Sequence, residues 1–138
     1  MSAEAFLDAN VLLYASSNAA EDKVKRDRAQ ALMIEVPFAL SAQVLQEYIA
    51  NALRKKQLGI SEANIEAMLE LAATSIVLPV TLELIIAAVR IRRRFQVSHW
   101  DATIIAAAQE LGCSTLYSED FNHGQNFDGV RVLDPFKC

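Results

Sequence analysis

The sequence predicts an α/β fold built on a central, mostly parallel sheet of about five short strands. Three observations carry that expectation. Short apolar runs alternate with longer stretches of helical periodicity, the pattern of strands joined by helical crossovers. Hydrophobic residues make up 53% of the chain with only four Gly and three Pro, which favours a helix-rich globule over disorder. No repeat, low-complexity tract or linker interrupts the 138 residues, so residues 1–138 read as one domain. Right-handed crossovers then place helices on both faces of the sheet.

The first strand is Ala5-Phe6-Leu7, closing at Asp8. A helix follows from about Asp22 to Glu35, with Val24, Ala31, Leu32 and Met33 as its expected buried side. Pro37 to Leu40 forms the second strand, and Ser41 is a natural N-cap for a helix carrying Val44, Leu45, Tyr48, Ile49, Ala52 and Leu53. Ser61 begins another helix through Ile65, Met68, Leu69 and Ala72; Ile76-Val77-Leu78 is the third strand, ended by Pro79. Thr81 opens a helix through Leu82, Ile85, Ile86 and Val89 to an arginine cluster. Ser98 starts the last long helix, Asp101 to Leu111, which Gly112 stops. Ser114 to Tyr117 is the fourth strand, and Val130 to Leu133 a fifth, expected at an edge.

In open parallel sheets, ligands sit outside the carboxyl ends of the strands. Asp8 follows the first strand, Asp120 follows the fourth, Glu47 lies within two helical turns of the second, and Asp101 opens the helix that feeds the fourth. If the first and fourth strands are neighbours, these acids converge on one rim. Each also has a plain structural reading: Asp8-Ala9-Asn10 as an Asx turn, Asp101 as a capping-box residue three after Ser98, Glu47 and Glu119-Asp120 as surface polar groups. Two carboxylates about 5 Å apart repel by roughly 3 kcal/mol at an effective dielectric near 20, so a cluster of four needs a neutralising cation. An all-oxygen donor set suits Mg²⁺ or Mn²⁺; zinc has no Cys/His set here.

The net charge of −4 hides basic clusters at Arg54, Lys55 and Lys56 and at Arg90, Arg92, Arg93 and Arg94. Basic flanks around an acidic site are the pattern of a nuclease, and Lys55, Lys56, Arg90, Arg93 and Arg94 are candidates for gripping nucleic-acid phosphates. Tyr14 and Trp100 are possible base-stacking platforms, with core packing the expected job of each. His99 and His123 are not needed by a metal mechanism. Cys113 and Cys138 have no metal-ligand spacing and read as a strand-flanking thiol and a loose C-terminal thiol in a reducing cytoplasm. The opening residues lack a signal-peptide pattern, and no apolar run spans a bilayer.

Four segments carry a family resemblance. Phe6-Leu7-Asp8-Ala9-Asn10-Val11-Leu12, Ser41 to Glu47, Ser98-His99-Trp100-Asp101-Ala102 and Leu116-Tyr117-Ser118-Glu119-Asp120-Phe121 resemble, in order, the four acidic motifs of PIN domains. The small size resembles the VapC-like toxins of type II toxin–antitoxin pairs. The resemblance implies a three-layer α/β/α sandwich and an Mg²⁺- or Mn²⁺-dependent endoribonuclease. It also implies frequent homodimers and a small inhibitory antitoxin. Asp8, Asp101 and Asp120 would hold the cation and Glu47 would help position the water. Asn10, Ser118 and Glu119 would support the carboxylates. The fourth motif offers two adjacent acids, of which alignment on Ser118 favours Asp120. Two other readings stand beside this one: a non-catalytic RNA- or protein-binding module that kept the fold, and an aspartate-based phosphatase. The second lacks an acid at Asn10.

Overall fold

A computed structural model describes residues 3–137; the Cys138 thiol lies outside the described residues. Six strands form one sheet: β1 (Ala5–Leu7), β2 (Phe38–Ser41), β3 (Ile76–Leu78), β4 (Thr115–Tyr117), β5 (Asn126–Phe127) and β6 (Val130–Leu133). Six helices accompany them: α1 (Ala9–Ser16), α2 (Lys23–Glu35), α3 (Ala42–Arg54), α4 (Glu62–Ala73), α5 (Leu82–Phe95) and α6 (His99–Glu110). The strand order is β3-β2-β1-β4-β6-β5, parallel except for the β5–β6 pair. Helices α1 to α4 pack on one another, while α5 and α6 pack together as a separate pair. The expected layered α/β architecture, with its mostly parallel sheet, is therefore present.

Burial explains the central strand. Ala5, Phe6 and Leu7 are all buried, as a parallel strand covered on both faces requires. The chain steps outward from β1 through β2 to β3, then crosses back to place β4 on the other side of β1, with Leu7 in register with Tyr117. The crevice at the carboxyl ends of β1 and β4 is thus the topological switch point of the sheet. Hydroxyl caps start the helices at the expected places: the Oγ atoms of Ser41 and Ser98 and the Oγ1 of Thr81 accept from the backbone N–H groups of Val44, Asp101 and Leu84. Ser61 and Asn64 form a reciprocal capping box.

Several expectations need correction. The sheet has six strands rather than about five. The Val130–Leu133 strand lies inside, between β4 and β5, and β5 takes the edge. The cause is an Asp128-Gly129 hairpin turn with φ of 52° and 106°, which folds Phe127 back onto Val130. Helix α1 was not anticipated; it begins directly after Asp8, with no linker from β1. Val24 is 82% exposed; Leu32 is buried as expected, and Ala29 joins it on the α2 stripe. Helix α6 is capped by Ser98 as expected, and its regular turns begin at His99 rather than Asp101. Among the described residues, no helix is long and apolar enough to cross a membrane.

Candidate metal centre

Asp8 ends β1 and caps α1, its Oδ1 accepting the Ala9 N–H at 2.7 Å. The same residue therefore terminates a strand, starts a helix and aims its second oxygen at the switch-point crevice. That Oδ2 accepts the Ser118 hydroxyl at 2.7 Å and lies 3.4 Å from Asn10 Nδ2. Ser118 Oγ in turn accepts from Asn10 Nδ2 and from the Asp120 backbone N–H, both at 3.1 Å. Asn10 Nδ2 also reaches Asp120 Oδ2 at 3.1 Å. One amide nitrogen and one hydroxyl thus bind Asp8 to Asp120 across the neighbouring strand ends.

Asp8 is 4% exposed, and its carboxyl is pushed up to about 6. Burial is the largest cause; the Ser118 and Ala9 hydrogen bonds oppose it, and the charges of Glu47 and Asp120 add to it. Asp101 is raised too, chiefly by burial, with Asp120 contributing repulsion and the Ser98 hydrogen bond opposing. These cross-influences link all four acids. Asp8, Glu47, Glu119 and Asp120 line a cavity of about 280 Å³; Asp101, in the first turn of α6, is outside that lining but near enough to Asp120 to feel its charge.

Glu47 is steered by Gln43, whose Nε2 donates to Glu47 Oε1 at 2.9 Å and to the Trp100 carbonyl at 3.2 Å. Glu119 points elsewhere. Its Oε1 accepts from Tyr14 Oη at 2.8 Å and its Oε2 from Lys25 Nζ at 2.9 Å. Between the two adjacent acids, Asp120 joins the Asp8 network and Glu119 joins a cationic clamp.

Of the basic residues named from sequence, only Lys55 lines the cavity. Arg94 is gripped by Asp128 at 2.6 and 2.8 Å on the β5–β6 turn, while Arg90, Arg93 and Lys56 lie outside the cavity lining. His123 Nδ1 accepts the Asp134 N–H, and His99 packs edge-on to Trp100, so neither imidazole lines the cavity. Cys113 is buried, its thiol donating to the Ala3 carbonyl, which fits the plain structural reading. Trp100 is a correction: at 65% exposed it is not a core residue, because α6 turns it outward from the first turn.

Sequence reasoning passed over Gln43, Lys25 and Asp22. Asp22, lining the cavity, is held by Ser17 Oγ at 2.7 Å. Lys25 meets Glu119 from 94 residues away, a pairing with no local signal.

The donor set is all oxygen and fits a hard divalent cation, and the raised Asp8 carboxyl marks buried negative charge that such an ion would offset. Among the described residues, no three His, Cys, Asp or Glu side chains stand together in a group that could hold a metal ion as they are placed.

Fold and site define a carboxylate-lined α/β domain with its site at the sheet's switch point. The sequence signature of the PIN domain matches residues 5–126, and the chain belongs to that family. No curated protein is significantly similar in sequence. Among solved structures, the fold is similar to Mycobacterium tuberculosis VapC20, described as a toxin that cleaves the sarcin–ricin loop. The TM-score is 0.69 and the identity 22%, over 86% of this chain and 91% of that one. It is also similar to a chain of a toxin–antitoxin complex from Klebsiella pneumoniae, with a TM-score of 0.65 and 22% identity over 97% and 99% of the two chains.

Proposed function

We propose that this protein is an endoribonuclease that hydrolyses RNA phosphodiester bonds with Mg²⁺ or Mn²⁺ held by Asp8, Glu47, Asp101 and Asp120. We further propose that it is the toxin half of a toxin–antitoxin pair. The observation that carries the reading is the Asn10–Ser118 bridge joining Asp8 to Asp120, with Glu47 lining the same cavity. PIN-domain membership and the toxin neighbours support it.

A hard divalent cation, when bound, neutralises charge building on the phosphate oxygens and makes water a stronger nucleophile. Asp8 and Asp120 would be its principal holders, kept in place by Asn10 and Ser118. Glu47, oriented by Gln43, positions the attacking water and takes its proton. Lys55 meets a flanking phosphate from the cavity wall. In-line attack leaves a 5′-phosphate and a 3′-hydroxyl.

The partners belong to the same reading. Leu82, Ile85 and Ile86 expose an apolar row at helical spacing on α5, which suits a homodimer. Ile34 and Leu71 border an apolar groove between α2 and α4, which suits a small inhibitory antitoxin.

Incubation of the purified protein with total cellular RNA and Mn²⁺, followed by mapping of the cut ends, tests the proposal. Discrete 5′-phosphate ends are expected, lost on chelation and in Asp8→Asn. Intact RNA, or cutting indifferent to chelator, contradicts it.

A further inference from the structure

We propose that Trp100 is the platform on which this protein stacks an unpaired nucleobase of its RNA beside the scissile phosphate. The inference rests on the ribonuclease reading and adds the residue that grips a base. Trp100 and Asp101 are neighbours in the first turn of α6. The Trp100 carbonyl accepts from Gln43 Nε2 at 3.2 Å, and that same nitrogen donates to Glu47 Oε1 at 2.9 Å. A single amide nitrogen therefore separates the Trp100 backbone from a carboxylate that lines the cavity.

The indole itself is 65% exposed, and its aromatic neighbour is His99, edge-on at 5.2 Å. Tyr14, the other aromatic ring at the site, is already engaged. Its hydroxyl serves Glu119 and Lys25, Lys25 Nζ stands 4.6 Å from its ring centre, and Phe136 meets it edge-on at 4.9 Å. An RNA strand whose phosphate lies among the four acids passes the first turn of α6. Stacking on an open aromatic face is the usual way an unpaired base is held. Phosphate contacts position a strand without touching its bases, so this ring is where a base, whatever its identity, is engaged.

Trp100 is the protein's sole tryptophan, so its emission reports the subsite alone. The Asp8→Asn protein, which holds RNA uncut, is titrated with short oligouridylate, oligoadenylate and an abasic ribose-phosphate oligomer of equal length. The base-bearing strands are expected to quench the emission and the abasic strand to leave it unchanged. In turnover, Trp100→Ala raises KM about tenfold with kcat within about twofold, and Trp100→Phe restores most of the loss. Emission that ignores bases, or responds equally to the abasic strand, overturns the subsite and gives the ring to a protein partner. Cleavage by the wild type under Mn²⁺ keeps the ribonuclease reading in that event. Base-dependent quenching by a protein that cuts no RNA supports the subsite and sinks the ribonuclease reading.

Discussion

Asp8 is the residue on which the chemistry and the stability of this domain meet. Its carboxyl titrates near 6 in the fold against an ordinary value of 3.8, because burial outweighs the hydrogen bonds it receives. The folded state therefore holds the Asp8 proton more tightly than the unfolded chain does. Its stabilising contribution is full below about pH 4 and is lost as pH rises from about 4 to about 6, by up to about 3 kcal/mol. Metal-free denaturation across that range should show wild type losing more stability than Asp8→Asn, and saturating Mg²⁺ should shrink the difference. Asn10→Asp replaces the shared donor by a further negative charge. We expect it to cost about 2 kcal/mol at pH 7 and less at pH 5, read from urea midpoints. Asp8, Asp101 and Asp120 stood out in the sequence because each follows a strand end or lies in the first turn of a helix, and Glu47 because it lies within two helical turns of the second strand. Gln43 and Lys25 did not, since the first acts through the carbonyl of Trp100 and the second through a carboxylate far along the chain.

Helix α6 carries Asp101 in its capped first turn, within reach of the Asp120 charge. Ser98 Oγ accepts the Asp101 N–H at 3.1 Å, fixing the turn that carries the acid. Ser98→Ala should cost about 1 kcal/mol in unfolding free energy and weaken cation binding together with it, measured by denaturation and by titration calorimetry. Helix α5 shows its apolar surplus: Leu84, Ala88 and Ile91 fill the core stripe, leaving Leu82, Ile85 and Ile86 outside. For the homodimer proposed on this row, Ile86→Lys should give a monomer in sedimentation and a melting temperature that no longer rises with protein concentration. Helix caps and strand cores were readable from Ser, Thr and short apolar runs. The α1 helix was hidden because Asp8 serves as strand end and N-cap at once. The Asp128-Gly129 turn did carry a sequence signal for β5, but a strand as short as Asn126–Phe127 has no periodicity to reinforce it.

At the scale of the molecule, topology does the assembling. Strand order puts β1 beside β4 although about 110 residues separate them in the chain, and the switch between them opens the crevice that the acids line. Nothing local dictates that adjacency; it follows from right-handed crossovers on a sheet whose chain reverses its direction of travel after β3. The acids that meet there have a net repulsion that a cation bound only by the native state would relieve. The most direct measurement is the thermal midpoint of purified protein with and without millimolar Mn²⁺, in wild type, Asp8→Asn, Asp120→Asn and Glu119→Gln. The account predicts a rise of several degrees in wild type and Glu119→Gln that disappears in the two aspartate variants. A wild-type midpoint that ignores the ion, or an equal rise in Asp8→Asn, contradicts it.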